Sequence, residues 1–188
     1  ILPDQIPPYK RGFPWCLPLA DLISNPLAWS VTDRLASLLL IIRALSKAKA
    51  SGIAAHQDLK PENIFFIDLH RKFPELAGSP GLHYQVLVGD FGNADLFRDA
   101  GRNSGTRPYM APEQFQTEVL NASDGLALDV FALGIIAHEC LCDGLHPIGE
   151  VTADVWPQRA GVSRKWGEAK VWGVSETLCM RLSPCGFD

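Results

Sequence analysis

The stretch His56-Gln57-Asp58-Leu59-Lys60-Pro61-Glu62-Asn63 decides how the rest of this sequence is interpreted. It places a carboxylate at Asp58, a cation two residues later at Lys60 and a side-chain amide at Asn63. Transfer of a phosphoryl group from a nucleotide needs a carboxylate that orients the acceptor hydroxyl, a cation near the transferring oxygens and oxygen ligands for magnesium. The stretch supplies all three kinds of group, which indicates a phosphoryl-transfer site.

Two further motifs follow this stretch. Asp90-Phe91-Gly92 begins 32 residues after Asp58 and offers a second oxygen ligand for a metal, and Ala111-Pro112-Glu113 comes after it. A single Asp and Asn at this spacing recur by chance in a chain of 188 residues. Three ordered motifs are much harder to obtain by chance, so their order is the main argument for this interpretation.

Together these motifs resemble those of the eukaryotic-type protein kinases, specifically the C-terminal lobe of the Ser/Thr branch. The resemblance runs from about Leu35 to about Pro147 and includes two more stretches, Gly105-Thr106-Arg107-Pro108-Tyr109-Met110-Ala111-Pro112-Glu113 and Asp129-Val130-Phe131-Ala132-Leu133-Gly134. It implies an α+β fold, mainly α-helical, in which a small β-hairpin carries the catalytic and metal-binding loops.

The resemblance also implies an activity and its catalytic residues. The activity is transfer of the γ-phosphoryl group of ATP to Ser or Thr hydroxyls of protein substrates. Asp58 would accept or orient the hydroxyl proton, and Lys60 would meet the developing charge. Thr106 matches the threonine that bridges the aspartate and the lysine in the Ser/Thr branch.

Three more residues are implied to bind the cofactors, ATP and Mg²⁺. Asn63 and Asp90 would be the metal ligands, and Phe65 would form the floor beneath the adenine ring. We therefore expect Asp58, Asn63 and Asp90 to converge on one nucleotide-bound magnesium centre, with Gly92 allowing the backbone there to move.

Supporting residues follow from the same resemblance. His56 would pack under Phe91, and the Asp129 carboxylate would anchor the backbone of the catalytic loop. Gln57 stands where arginine commonly pairs with a phosphorylated residue, and an uncharged amide cannot form that charge-assisted pair. We therefore expect activity that does not need phosphorylation of the loop that contains Ser104. Glu113 lacks an obvious arginine partner in this sequence.

Local patterns predict several elements. Leu19 to Ile23 suits a short helix, and Thr32 or Asp33 is placed to cap a longer helix that ends at about Ala50, before Gly52. Ile64 to Ile67 and Tyr84 to Val88 read as strands joined by a solvated loop, and Leu126 to Cys142 is strongly apolar. The apolar residues expected to face the core in the longer helix are Leu35, Leu38, Leu39, Ile42 and Leu45.

We expect different structures for the beginning and for the remainder of the chain. Five prolines in residues 1–18 oppose regular helix, which predicts an irregular lead-in or the remnant of a nucleotide-binding hinge. Residues 19–188 are expected to form one lobe, truncated before its last helices. No Gly-x-Gly-x-x-Gly loop and no strand lysine precede His56, so the isolated chain is expected to bind ATP weakly.

Composition limits the classes of partner. A net charge of −4 gives no basic surface for nucleic acid, and no apolar run approaches the length of a membrane span. The five scattered cysteines favour reduced thiols and a cytoplasmic location over a disulfide framework. The spacing of His138, Cys140, Cys142 and His146 matches no usual zinc ligand set. No pattern in the sequence indicates the oligomeric state.

Two alternatives to a protein kinase remain open. A small-molecule kinase of related fold also carries an aspartate and an asparagine in this loop, although Asp90-Phe91-Gly92 and Ala111-Pro112-Glu113 argue against it. A catalytically impaired, protein-binding module is supported by the missing upstream motifs and opposed by the retained Asp58, Asn63 and Asp90. A phosphotransfer assay with peptides and small alcohols, together with a test for Mg-ATP binding, separates the three.

Overall fold

The computed structural model describes residues 16–25, 29–76, 83–98, 104–115 and 125–147. The chain divides into two compact units. The first unit contains Ile1–Lys47 and Pro61–Gly89, and the second contains Ala48–Lys60 and Asp90–Asp188. Each unit is described separately below.

A three-stranded antiparallel sheet forms the centre of the first unit, with the order β1-β2-β3. Its strands are β1 (Cys16–Pro18), β2 (Ile64–Asp68) and β3 (Tyr84–Val88). β2 and β3 confirm the two predicted strands. The expectation of irregular structure through residue 18 is wrong for its last three residues, because β1 pairs with β2 and places Leu17 opposite Phe66. Proline at the end of an edge strand is compatible with that pairing.

Helix α1 (Leu19–Ile23) follows β1 directly and has the predicted bounds. Leu19 and Leu22 are its buried residues. The rings of Trp29 and Tyr84 contact Phe66 edge-on, with centroids 6.2 and 6.0 Å away. The core of the first unit is therefore built on the buried side of β2.

Helix α2 (Val31–Ala50) begins before both predicted caps, one residue before Thr32 and two before Asp33. The Ser30 hydroxyl accepts a hydrogen bond from the Asp33 amide at 3.2 Å and donates one to the Asp33 carboxylate at 2.6 Å. Ser30 therefore satisfies a free N–H of the first turn, and Asp33 lies inside the helix that it was expected to cap. Gly52, with φ of 98°, follows the end of α2 as predicted.

The predicted core face of α2 is largely wrong. Leu35, Leu39 and Ile42 are 53, 49 and 44% exposed, and Leu45 is only partly buried. The buried residues of the helix are Arg34, Ser37, Leu38 and Ile41. Burial of Arg34 is possible because its Nε donates to the Trp29 carbonyl at 3.0 Å and its guanidinium lies 5.9 Å from the centre of the Trp29 ring.

The connection between β2 and β3 contains structure where only a loop was expected. Helix α3 (Leu69–Lys72) begins at Asp68, whose carboxylate accepts from the Arg71 amide at 3.1 Å. A short 3₁₀ helix follows at Pro74–Leu76. Most side chains of residues 69–76 are exposed, so this part of the connection is solvated as predicted.

The second unit is organised around helix α4 (Gly125–Leu141), which confirms the apolar stretch as a helix. Leu128 packs with Ala55 and Ala111 in a buried cluster. No helix within the described residues is both long and apolar enough to cross a membrane. The expectations for residues 1–15 and for the truncated end beyond residue 147 lie outside the described residues.

Candidate active site

Asp58, Lys60 and Thr106 form a closed triangle of hydrogen bonds in the second unit. The Thr106 hydroxyl donates to Asp58 Oδ1 at 2.7 Å and accepts from Lys60 Nζ at 2.8 Å. Lys60 Nζ also lies 3.2 Å from Asp58 Oδ2. The structure therefore brings together the three residues that the sequence predicts as catalytic, with Thr106 between the other two.

Asp129 on α4 holds the backbone that leads into Asp58. Its carboxylate accepts from the His56 amide at 2.7 Å and from the Gln57 amide at 3.0 Å, which confirms the predicted anchor. Burial raises the pKa of Asp129, and the two backbone hydrogen bonds oppose that rise. Gln57 has φ of 68°, so Asp129 secures a turn that a non-glycine residue rarely adopts.

His56 and Phe91 are in contact, as predicted. Their ring centroids lie 4.6 Å apart, and His56 is buried. The Asp58 amide donates to His56 Nδ1 at 3.3 Å, which requires that nitrogen to be the acceptor. The histidine thus packs beneath the Asp90-Phe91-Gly92 motif and contacts the backbone of the catalytic loop.

Asp90 lies in the same unit as Asp58, with an exposed side chain. Its φ and ψ are 58° and 64°, a left-handed conformation that aspartate tolerates better than most residues. The positive φ of this motif is therefore at Asp90 and not at Gly92, on which the sequence argument relied. A Cβ at position 92 would lie 3.3 Å from Asp90 Oδ1, so Gly92 leaves room for the carboxylate.

Asn63 and Phe65 belong to the first unit, with Asn63 ending the short 3₁₀ helix Pro61–Asn63 and Phe65 lying in β2. The Asn63 carbonyl accepts from the Gly89 amide at 2.8 Å. A Cβ at position 89 would lie 3.2 Å from the Phe65 ring, so glycine lets the ring pack against the backbone there. Convergence of Asn63 with Asp58 and Asp90 stays a prediction.

The donor types at positions 63 and 90 fit Mg²⁺, which takes oxygen ligands. In the parts of the chain that the structure describes, no three His, Cys, Asp or Glu side chains gather at one point.

Gln114 is a central residue of the second unit that the sequence analysis missed. Its Nε2 donates to the carbonyls of Gln57 at 3.2 Å and Ser104 at 3.1 Å, and its Oε1 accepts from the Ala111 amide at 2.9 Å. Only its place directly after Ala111-Pro112-Glu113 could have drawn attention to it, because backbone recognition by an amide leaves no spacing pattern.

Asp95 is a second residue that the sequence analysis did not identify. Its carboxylate accepts from the amides of Ala55 at 2.8 Å and Ala54 at 3.3 Å, and its own amide donates to the Ala55 carbonyl at 3.1 Å. Asp95 therefore joins the segment before His56 to the segment after Gly92. The contact spans 40 residues, and no local pattern predicts it.

The segment Arg107–Tyr109 is held by α4 and by the turn that follows it. The Tyr109 hydroxyl donates to the buried Glu139 carboxylate, with distances of 3.2 and 3.1 Å to its two oxygens. His146 Nε2 lies 3.0 Å from the Pro108 carbonyl, and the Tyr109 and His146 rings pack edge-on. These contacts fix the chain immediately after Thr106. Glu113 is partly buried.

We expect the stability of this cluster to depend on pH through His146. Burial lowers the pKa of His146 below 6.5, and the nearby His138 acts in the same direction, although the bond to Pro108 opposes it. A histidine with a lowered pKa favours the neutral ring in the folded state. The free energy of unfolding should therefore decrease as the pH falls through 6.5, because the unfolded chain takes up the proton first.

Thermal denaturation above and below pH 6.5 measures this effect. His146→Gln places an amide N–H near the position of Nε2, where it can donate to the Pro108 carbonyl, but removes the titration. The variant should lose less stability on acidification than the original protein. An identical loss in both proteins would show that His146 is not responsible.

The sequence of this chain is similar to a family model and to several known proteins. The family model described as Protein kinase domain matches residues 17–155. The serine/threonine-protein kinase Pkn1 of Myxococcus xanthus is 37% identical over 130 residues, which cover 66% of this chain and 16% of that protein. The calcium/calmodulin-dependent protein kinase type 1B of Rattus norvegicus is 32% identical over 117 residues, or 60% of this chain and 29% of that protein.

A dual specificity mitogen-activated protein kinase kinase, jkk-1 of Caenorhabditis elegans, is 33% identical over 109 residues, covering 56% of this chain and 21% of that protein. The chain thus spans less than a third of the length of each of these three relatives. The similarity therefore concerns a limited part of each relative.

Proposed function

This chain belongs to the protein kinase domain family, and on that premise we propose that it transfers the γ-phosphoryl group of ATP to Ser and Thr hydroxyls of protein substrates. The observation that carries the proposal is the triangle of Asp58, Lys60 and Thr106. One of the relatives described above, Pkn1, is named a serine/threonine-protein kinase, which supports the same acceptor class.

Asp58 is the group proposed to orient the acceptor hydroxyl and to take up its proton. Its two oxygens accept hydrogen bonds from Thr106 and Lys60, and a carboxylate offers several acceptor positions, as the binding of an incoming hydroxyl requires. The two existing bonds fix the plane of the carboxylate before substrate arrives. Such fixed geometry lowers the cost of positioning the reacting groups.

Lys60 provides the positive charge of the proposed site. Its Nζ is held by Asp58 and Thr106 and is still partly exposed, with 22% of the side chain accessible. A cation in this position would stabilise negative charge that develops on the transferring phosphoryl oxygens. Through its single hydroxyl, Thr106 would hold the Lys60 ammonium and the Asp58 carboxylate at fixed positions relative to each other.

Asn63, Asp90 and Phe65 are proposed to bind the cofactors. Asn63 and Asp90 would hold Mg²⁺, which when bound neutralises phosphate charge. In the first unit, Phe65 is only partly buried and faces Leu87 across the sheet, and Leu87 is 44% exposed. This accessible apolar surface is suited to stacking against a nucleotide base, which supports Phe65 as the floor beneath adenine.

The proposed partners are therefore ATP, Mg²⁺ and proteins with accessible Ser or Thr residues. A cytoplasmic location is proposed from the sequence, because its five scattered cysteines favour reduced thiols over a disulfide framework. Thiols persist in reducing compartments, whereas secreted domains tend to pair them.

A phosphotransfer assay tests the acceptor class. The protein is supplied with Mg-ATP and matched peptides whose acceptor is Ser, Thr or Tyr, together with small alcohols such as aminoglycosides. We expect label on the Ser and Thr peptides, and a thermal shift with Mg-ATP that ATP without a divalent cation does not reproduce. Preferential labelling of Tyr peptides or of the alcohols, or no labelling at all, would overturn the proposal.

We further expect this activity to be independent of phosphorylation in the segment that contains Ser104. The Ser104 carbonyl accepts from the amides of both Gln57 and Gln114, and the hydroxyl oxygen of Ser104 is itself buried. Neutral amides thus hold this segment without a phosphate. Phosphatase treatment and Ser104→Ala should each leave kcat within about twofold of the untreated protein, and a strict need for phosphate would contradict this.

A further inference from the structure

The Gln114 side chain is a buried amide that recognises three backbone groups at once. It is 3% exposed. Both hydrogens of its NH₂ group point to carbonyl oxygens, those of Gln57 and Ser104, and its oxygen accepts the Ala111 N–H. This pattern uses a donor end and an acceptor end together, so a side chain with only one of these functions cannot replace it.

The two carbonyls belong to the chain segments that present the proposed catalytic side chains. Gln57 directly precedes Asp58, and Ser104 lies two residues before Thr106. The Gln114 amide therefore joins these segments, as does a longer bond of 3.4 Å from Gln57 Nε2 to the Ser104 carbonyl. Thr106 and Asp58 then meet in the 2.7 Å bond between Oγ1 and Oδ1. The third contact, to Ala111, ties the same amide to the buried cluster with Ala55 and Leu128.

Gly105 shows how closely these segments approach each other. Its φ is 150°, and a Cβ there would lie 2.9 Å from the Gln57 carbonyl oxygen and 3.2 Å from Gln114 Nε2. No side chain fits between the two segments at this point. The Met110 side chain also lies against this point, with Cγ 3.0 Å from the same Cβ position, so glycine is needed where the two segments meet.

We propose that Gln114 is a positioning residue for the phosphoryl transfer proposed above, and that it sets the distance between Thr106 and Asp58. This inference rests on the proposed function. Gln114 touches neither substrate nor cofactor in it and acts only through the backbone at Gln57 and Ser104. Misplacement of a reacting group by about 1 Å is enough to reduce turnover by about 10²-fold.

Two substitutions test this role. Gln114→Glu places a carboxylate oxygen against two carbonyl oxygens, which replaces two attractions by repulsion. Gln114→Met keeps the length and the volume of the side chain but removes all three hydrogen bonds. Gln85→Glu is the matched control, because it makes the same chemical change at an exposed residue of β3.

The measurements are kcat and KM for ATP per folded molecule, the melting temperature, and crystal structures of the variants. We expect kcat to fall by about 10- to 100-fold in Gln114→Met, with KM for ATP within about threefold, and further in Gln114→Glu if that protein folds. In the Gln114→Met structure, Thr106 Oγ1 should lie beyond hydrogen-bonding distance of Asp58 Oδ1. Gln85→Glu should match the original protein.

The outcomes distinguish this inference from the function on which it rests. A folded Gln114→Met protein that keeps both kcat and the Thr106–Asp58 bond overturns the positioning role. A lower melting temperature with unchanged kcat per folded molecule also overturns it, because that is the signature of a purely structural residue. Absence of phosphotransfer in the original protein refutes the proposed function, while the variant structures still report whether Gln114 sets the distance.

Discussion

Asp58→Asn should abolish nearly all phosphotransfer, with kcat reduced by about 10³-fold and KM for ATP almost unchanged. Asparagine keeps the shape of the side chain, so the bond from Thr106 to Oδ1 can persist. The amide that replaces the other oxygen is a donor and faces the Lys60 ammonium, which is also a donor, 3.2 Å away in the original protein. The variant therefore loses a proton acceptor and the contact that orients Lys60.

Steady-state kinetics with a Ser peptide and Mg-ATP measure this effect, with the folded fraction established by circular dichroism. Asp143→Asn is the control, because Asp143 is exposed and asparagine tolerates its positive φ of 53°. The control should retain full activity. A folded Asp58→Asn protein with kcat within about tenfold of the original would exclude Asp58 as the group that orients the hydroxyl.

Much of the local structure was predictable because it depends on neighbouring residues. Tyr84 to Val88 alternates between exposed and partly buried residues and forms β3 with the predicted bounds. Leu19 to Ile23 follows a proline and forms α1 as expected. Here the sequence pattern and the environment agree, since one side of each element contacts the core of the first unit.

Helix α2 shows where such patterns fail. Its sequence has apolar residues on more than one face, and the structure buries the face that contains Arg34 and Ser37 together with Leu38 and Ile41. A buried guanidinium is stable only when its donors are satisfied. The groups that contact it include the carbonyl and ring of Trp29, and a periodicity argument cannot foresee that particular pairing.

The candidate site also contains some residues that could be predicted from the sequence and others that could not. The first motif identified Asp58 and Lys60, and the family resemblance added Thr106, whose bond to Asp58 crosses 48 residues. Resemblance to a family supplied that long-range information. Gln114 and Asp95 were missed because they bind backbone groups. Almost every residue type has the same backbone carbonyl and N–H, so no particular residue type identifies these partners in the sequence.

Asp129→Asn is expected to give the largest loss of stability, with the free energy of unfolding lower by about 3 kcal/mol. The Asp129 carboxylate accepts the His56 and Gln57 amides through separate oxygens, at 2.7 and 3.0 Å. Asparagine has one oxygen and one NH₂ group, so one backbone N–H must face another donor in a buried site. A buried donor without an acceptor costs about 1–3 kcal/mol, and the bond to a charged acceptor is lost as well.

The same substitution should also reduce activity, because the anchored turn at Gln57 leads directly into Asp58. Urea denaturation gives the free energy of unfolding, and kcat is measured well below the melting temperature of the variant. The exposed Asp143→Asn makes the identical chemical change and should alter neither quantity. If Asp129→Asn unfolds at the same urea concentration as the original protein, the two amide bonds do not stabilise this loop. If stability falls but kcat per folded molecule is unchanged, the turn at Gln57 supports the fold without setting the position of Asp58.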